Sequence, residues 1–263
     1  MIKYKQISLT TDELAVAFLL CGYEELANQI LLNEEMLQSE EMFDYFVRNI
    51  EDSMKLKGFW DDGRDSLLVE DVEETIRLLA LSQKKVRFVK GTKVTFLHKL
   101  INETHLLQVI ENGVHTLTYV DQDFKLEELI KRIIKIKETE ISNFSWQPLF
   151  FDSKTFDEFH NQSSKELHKL SSNEAIGPEL VCFIADFIDN NQEFDNVSCM
   201  VMDTNRDVMQ VVDVLFYLSG EKNVWFLNYD QVEEDKIFVE PEIYAKFTGY
   251  VSDWIMCFLN DNT

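Results

Sequence analysis

The sequence predicts an α+β protein built from two similar halves, each with helices, an antiparallel strand meander and a closing helix. Three observations indicate this fold class. Segments with helical period precede segments that alternate with period two, the alternating segments carry hairpin turns, and the same order of elements occurs twice in 263 residues. With only 3 Pro and 8 Gly, the chain has little material for long linkers.

The first half opens with a capped helix. Thr10 and Glu13 stand three residues apart, in the order of a capping box. Residues 14–20 are apolar nearly all round, so we expect a buried helix, and Gly22 ends it. The apolar spacing predicts three further helices, one near residue 26, a long one over about 35–57 and one that carries Val72, Ile76 and Leu79.

Residues 85–120 change to a period of two and predict a four-stranded antiparallel meander. Its turns fall at Lys90-Gly91 and Asn112-Gly113. Asn-Gly between two alternating runs is a strong hairpin signal, because both turn residues adopt positive φ. The helix that closes this half follows at once, and its apolar face carries Leu126, Leu129, Ile130 and Ile133.

The second half repeats this order. Helices are predicted over 153–170 and 177–190, and strands over 197–203, 207–220, 223–230 and 235–240. A last helix carries an amphipathic stripe formed by Ile243, Phe247, Tyr250, Val251, Trp254 and Phe258. We therefore expect a single domain, 1–263, of two quasi-repeats (about 1–145 and 146–263) with pseudo-two-fold structure, the two meanders side by side or joined in one sheet.

The charge of the chain restricts its partners. It has 25 basic and 48 acidic residues, a formal net charge of −23. Such a chain repels nucleic-acid phosphates and anionic lipids, so neither nucleic acid nor a membrane is an expected partner. No apolar stretch approaches the ~18 residues of a transmembrane helix, and the N-terminus lacks the apolar region of a signal peptide. These features indicate a cytoplasmic protein.

The sequence contains no motif of a catalytic, metal or cofactor site. It has no nucleophile elbow and no glycine-rich phosphate loop. His98, His105 and His115 lack a carboxylate or Cys at ligand spacing, so we expect them to be exposed or at strand edges rather than to bind a metal. We therefore predict no catalytic residues, no cofactor and no metal, and a binding protein rather than an enzyme.

Two other groups of residues have a structural interpretation. In the loop 61–65 (DDGRD) the glycine comes third, so the EF-hand register fails and a helix-connecting turn is favoured. The four cysteines form no Cys-x-x-Cys motif and lie in apolar runs, which predicts buried free thiols.

Two segments resemble the EspG family of type VII (ESX) secretion chaperones. The first segment consists of LTTDELAVAFLLCGY and, later, GFWDDGRDSLLVEDVEETIRLLALSQKKVRFV. Like the family, it has a short LT-x-x-E helix and a helix that ends at a G-(hydrophobic)-x-D-G loop. A helix rich in Leu and Ala and the first strand follow. The second, VWFLNYDQVEEDKIFVEPEIYAKFTGYVSDWI, is a hairpin, a V-x-V-x-P pattern (here Ile237, Val239 and Pro241) and a last helix.

This resemblance implies a quasi-two-fold fold with a central antiparallel sheet flanked by helical bundles. It also implies a cytosolic chaperone that holds a helical secretion substrate before export. The Lys/Glu/Asn-rich sequence differs from the Ala/Arg-rich mycobacterial members, which favours a small WXG-type or LXG-type helical partner over a PE–PPE pair. In the family the substrate contacts the sheet and a loop between central strands, and the matching loop here is formed by Leu100, Ile101, Asn102, Glu103 and Thr104.

Two other functions stay open at this point. One is an immunity or inhibitor protein that neutralises a basic toxin, which the charge of −23 fits because acidic inhibitors steer onto basic partners. The other is an enzyme whose site is assembled across the fold without a sequence motif. The sequence predicts no particular oligomeric state.

Overall fold

The computed structural model describes residues 6–31, 40–101, 104–120, 125–134, 146–173, 175–203, 208–228 and 236–261. Within these ranges the chain forms nine helices and ten strands. The strands belong to one open antiparallel sheet in the order β1-β5-β4-β3-β2-β7-β8-β9-β10-β6. The predicted α+β class with an antiparallel sheet is therefore confirmed.

The first part of the chain contains β1 (Gln6–Thr10), α1 (Thr11–Leu20), α2 (Glu24–Ile30), α3 (Glu40–Leu56), α4 (Glu70–Ala80), β2 (Lys84–Lys90), β3 (Lys93–Lys99), β4 (His105–Glu111), β5 (Val114–Val120) and α5 (Leu126–Ile134). The second part contains β6 (Leu149–Asp152), α6 (Ser153–Asn161), α7 (Ser164–Ser171), α8 (Pro178–Asp189), β7 (Asp195–Asp203), β8 (Val208–Ser219), β9 (Val224–Asn228), β10 (Lys236–Glu242) and α9 (Tyr244–Asn260).

The chain forms two compact units. Unit 1 consists of Met1–Lys85, Lys93–Phe124 and Val201–Met209. Unit 2 consists of Val86–Thr92, Lys125–Met200 and Gln210–Thr263. Each unit thus takes one short segment from the opposite half of the chain. The predicted pair of quasi-repeats, with its pseudo-two-fold relation, stays a prediction.

The meander predicted over 85–120 is present. In unit 1, β4 pairs antiparallel with β3 and with β5, so that Val109 lies opposite both Thr95 and Thr116. Asn112 and Gly113 have φ of 51° and 71°, the positive values that the Asn-Gly signal requires. Strand β1 was not predicted, and it pairs along the far side of β5.

Strand β1 leads directly into α1 through the predicted capping box. Glu13 N–H donates to Thr10 Oγ1 (3.2 Å), and Thr10 N–H donates to Glu13 Oε2 (2.7 Å). Glu13 is almost fully buried and also accepts from Lys57 Nζ and Ser53 Oγ, each at 2.6 Å. The cap therefore fixes α1 to the end of α3 as well as to β1. The core below it contains Leu14, Phe18, Met54, Ile76, Leu106 and Leu117.

The loop 61–65 is a turn between α3 and α4, as predicted. Its carboxylates accept hydrogen bonds from nearby donors: Asp61 Oδ1 from Gly63 N–H (3.0 Å) and Asp62 Oδ1 from Trp60 Nε1 (2.9 Å). The turn closes where Trp60 and Leu68 form an antiparallel bridge.

Unit 2 differs from the prediction in two places. The segment 153–170, expected to be continuously helical, is broken between α6 and α7, because Ser163 and Glu166 form a second capping box that starts a new helix. Strand β6 was also not predicted, and it forms an edge of the sheet beside β10. The core of unit 2 is mainly aromatic, with Phe183, Phe187 and Trp225 at its centre.

None of the helices within the described ranges is long and apolar enough to cross a membrane.

Candidate protein-binding surface

Strand β8 in unit 2 carries an exposed apolar segment. Tyr217 and Leu218 near its end are fully buried, whereas Val211 and Val212 near its start are 53% and 55% exposed. Because consecutive residues of a strand point to opposite faces, Val211 lies on the same face as Tyr217, whose ring contacts Phe247 of α9, and Val212 lies on the other face. The exposed side chain of Val211 is therefore available to a partner that binds beside α9.

Helix α9 provides the second wall of this surface. Its inner face repeats every four residues, with Phe247, Val251, Ile255 and Leu259 buried. Tyr250, which the sequence placed in the same apolar stripe, is 57% exposed instead. The helix therefore exposes apolar surface that its packing against the core of unit 2 does not bury.

A cleft of about 210 Å³ separates α9 from the strands. Tyr250 and Trp254 line it from the helix, and residues 213–215 of β8 and 226–228 of β9 line it from the sheet. Together with Val211, these residues form what we call the β8–α9 surface.

One polar contact joins the two walls of the cleft. Trp254 Nε1 donates to Asp213 Oδ2 at 3.0 Å, and Asp213 Oδ1 accepts from Val214 N–H at 2.8 Å. On the strand side, Asn228 Nδ2 donates to Glu240 Oε1 at 2.6 Å. The indole is thus held in a fixed position, and polar groups, including an acidic one, form most of the lining of the cleft.

This arrangement suits an amphipathic helix. A bound helix inserts apolar side chains at three- and four-residue spacing into a groove, and its polar face stays in solvent. The carboxylate of Asp213 favours a helix with basic residues beside its apolar stripe, because opposite charges at the rim of an interface select orientation and partner.

The loop that the resemblance indicated lies in unit 1, between β3 and β4. Leu100 is buried in the core, and its N–H donates to Thr104 O at 2.9 Å. Ile101 is 66% exposed. Asn102 and Glu103 lie outside the described residues. Within the described part of the loop, Ile101 is therefore the residue that offers an apolar side chain to a partner.

The sequence did not indicate the β8–α9 surface as a binding site, although Tyr250 and Trp254 belong to the apolar stripe predicted for the last helix. A signal was present in β8, where Val211-Val212 interrupts the alternation that a half-buried strand shows. The exposure of Tyr250 had no such signal, because its spacing also fits a buried helix face.

The expectation for the histidines was wrong at two positions. His98 and His115 were expected to be exposed or at strand edges, but both are buried, because Gln108 on β4 supplies each with a hydrogen-bond partner. Among the described residues, no three His, Cys, Asp or Glu side chains are grouped as metal ligands. All four cysteines are free thiols, as predicted, but only Cys21 and Cys199 are buried, whereas Cys182 is half-buried and Cys257 is exposed on α9.

Comparisons with known proteins find a similar fold among solved structures. No protein-family model and no curated protein matches the sequence. Among solved structures, the chain is similar to the Mycobacterium tuberculosis type VII secretion system chaperone EspG5, solved in complex with a PE25–PPE41 dimer. The TM-score is 0.55 at 10% sequence identity, and the match covers 96% of each chain. At this identity the likeness is one of fold, and it extends over nearly the whole of both molecules.

Proposed function

We propose that this protein is a cytoplasmic chaperone or adaptor of a type VII-like secretion system, without enzymatic activity, that holds a helical secreted protein before export. The observation that carries this proposal is the fold, which is similar over 96% of the chain to that of a type VII secretion chaperone. The sequence resemblance to the same family, made from separate segments at both ends of the chain, supports it independently.

The β8–α9 surface is the contact we propose for the helical partner. It combines exposed apolar residues on a strand and a helix with a cleft between them, as a helix-in-groove interface requires. The loop with Ile101 is a second contact, proposed from the family resemblance. Because the chain departs in composition from the mycobacterial members, we propose a small WXG-type or LXG-type protein as the partner.

The proposal is tested by co-purification from the native host. Tagged full-length protein is recovered from the cytosol, and the bound proteins are identified by mass spectrometry. We expect a small helical secreted protein, with recovery lost for Val211→Asp and retained for Leu56→Asp. Leu56 is the matched control, since it is a 90% exposed apolar residue on α3, in unit 1. Recovery of other proteins alone, or equal recovery by both variants, contradicts the proposal.

A second function is favoured by the charge. A net charge of −23 suits an immunity protein that binds a basic toxin, because such pairs associate through long-range attraction. This attraction is screened beyond about 8–10 Å at physiological salt. If a basic toxin is the partner, the complex will dissociate as salt is raised. An apolar helix-in-groove complex will persist.

A further inference from the structure

A chain of buried polar side chains crosses the sheet face of unit 1. His98 Nε2 is 2.9 Å from Gln108 Oε1, Gln108 Nε2 is 2.9 Å from His115 Nδ1, and His115 Nε2 is 3.2 Å from Thr11 Oγ1. His98, Gln108 and His115 are 3%, 6% and 6% exposed. The chain thus runs from the start of α1 through three strands and ends at His98.

One atom at the end of this chain has no partner. Buried polar atoms are nearly always hydrogen-bonded, yet among the described residues nothing hydrogen-bonds to His98 Nδ1. The chain can run in two directions, because Gln108 presents a donor at one end of its amide and an acceptor at the other. When the Gln108 amide is turned over, donor and acceptor exchange in every hydrogen bond of the chain. His98 Nε2 then accepts from the amide, so the ring proton of the neutral His98 lies on Nδ1, which becomes a donor.

Lys85 lies beside this end of the chain. Its ammonium stands over the ring of Phe96 at 5.4 Å from the centroid, and the Phe96 and His98 rings are 5.7 Å apart. Burial lowers the pKa of Lys85, and no acidic residue of the described part of the chain pairs with it. Burial, together with the charge of Lys85, lowers the pKa of His98 to about 3, so His98 is neutral at physiological pH.

These groups line a cleft of about 200 Å³. Its polar lining comes from Lys85 and His98 together with Gln29, Ser82, Gln108 and His115, and its apolar lining includes Leu14, Phe18, Leu79 and Met202. An engineered apolar cavity of about 150 Å³ in another protein holds benzene. The cleft therefore has room for a ligand of that size or slightly larger.

We propose that this cleft binds a small aliphatic carboxylate. One carboxylate oxygen accepts from the Lys85 ammonium and the other from His98 Nδ1–H, and the alkyl chain packs against the apolar wall. A monoanion fits better than a phosphate dianion, because one lysine and one neutral histidine compensate a single charge and a second buried charge is costly. This site is separate from the β8–α9 surface and does not depend on the proposed function.

The test uses sodium hexanoate as the probe on full-length protein. Thermal unfolding and isothermal titration are measured with hexanoate, and with hexylamine as the probe of opposite charge. We expect saturable binding and a higher Tm with hexanoate and no effect of hexylamine. The ¹⁵N resonance of His98 Nδ1 should move to the position of a protonated ring nitrogen when hexanoate binds.

Two lysine variants complete the design. Lys85→Met shortens the unbranched side chain by one atom and removes the charge, so we expect at least about a tenfold loss of hexanoate affinity, or about 1.4 kcal/mol. Because Lys85 is half-buried and no acidic residue of the described chain pairs with it, the Tm of the unliganded variant should be unchanged or higher. Lys93→Met, on the neighbouring strand β3, is the control and should bind hexanoate normally. Equal binding by Lys85→Met, binding of hexylamine, or a lower Tm for unliganded Lys85→Met would each overturn the proposal.

Discussion

Glu73 on α4 accepts hydrogen bonds from two side chains of the turn that precedes this helix. It accepts from Ser66 Oγ at 2.6 Å and from Arg64 Nη2 at 2.9 Å, and Arg77 one helical turn later donates to its other oxygen at 2.9 Å. The hydrogen bonds from Ser66 and Arg64 outweigh the effect of burial and lower the pKa of Glu73 to about 2.

This lowered pKa predicts a pH-dependent contribution to stability. A carboxylate with a depressed folded-state pKa stabilises the protein above its unfolded value of about 4.3. The contribution is lost as the pH falls through the folded value of about 2. We expect Glu73→Gln to lower the free energy of unfolding by about 1–2 kcal/mol at neutral pH, discounted because both arginines are partly exposed. Urea unfolding at several pH values measures this.

The control for this prediction is Glu158→Gln. Glu158 forms an exposed pair with Lys154 on α6. Such pairs contribute little, so its effect should stay below about 0.5 kcal/mol at all pH values. If Glu73→Gln shows the same small and pH-independent effect, Glu73 does not anchor the turn.

Replacement of two glycines of unit 2 by alanine should change the free energy of unfolding in opposite directions. A Cβ at Gly220 would lie 2.2 Å from Asp186 Oδ2 and 2.9 Å from Asn223 O. Asp186 has little freedom to move, because it accepts from Trp225 Nε1 at 2.8 Å. We expect Gly220→Ala to lower the free energy of unfolding by about 1–3 kcal/mol.

Gly249, inside α9, has no atom within 4 Å of its Cβ position, so Gly249→Ala should raise the free energy of unfolding by about 0.5–1 kcal/mol. Denaturant melts of both variants check the signs.

Among individual residues, His98 shows where prediction from sequence ends. Its neighbours along β3 indicated a strand correctly, and alternation placed it on one face of the sheet. The pattern could not show that Gln108 lies within hydrogen-bond distance of His98, or that His115 and Thr11 continue the chain of hydrogen bonds from Gln108. Those contacts depend on strand register and on the packing of α1. An expectation of exposure based on polarity was therefore wrong.

At the scale of elements, local sequence signals predicted the helices and turns well, but the strands that pair with distant parts of the chain were missed. The capping box at Thr10, the Asn112-Gly113 turn and the spacing of α9 each depend on residues close in sequence. Strands β1 and β6 depend on partners far along the chain: Leu9 pairs with His115, and Phe151 pairs with Ile237. Short edge strands with such distant partners leave no strong local pattern.

Helix α8 should carry much of the stability of unit 2. Phe183 is 1% exposed and stacks on Phe187 at 5.7 Å, with the edge of Trp225 at 5.6 Å. We expect Phe183→Ala to lower the free energy of unfolding by about 3–5 kcal/mol, because a buried ring leaves a cavity that the surrounding rings cannot fill.

Phe150 on β6 is the matched control for Phe183. It is 63% exposed and contacts Phe238 edge-on at 4.8 Å. Its replacement by alanine should cost less than about 1.5 kcal/mol, the scale of one aromatic pair. Equal effects of the two variants in denaturant melts would mean that the aromatic cluster around α8 is not the core of this unit.

For the whole molecule, the family resemblance and the fold agree although almost no sequence is shared. Two chains can share a fold at 10% identity because many different residues satisfy the same requirements for caps, turns and apolar spacing. Partner contacts are different, since they depend on particular side chains at the surface. That is why the sequence predicted the sheet and the helices and did not predict the β8–α9 surface.

The measurement that tests the central claim is the affinity of the co-purified helical partner for wild-type protein and for two surface variants. Val211→Asp places a charge in the apolar part of the β8–α9 surface, and Leu56→Asp places one on α3 of unit 1. We predict that Val211→Asp weakens binding at least about tenfold, or about 1.4 kcal/mol, and that Leu56→Asp leaves it unchanged. If Val211→Asp binds as tightly as wild-type protein, this surface does not hold the partner.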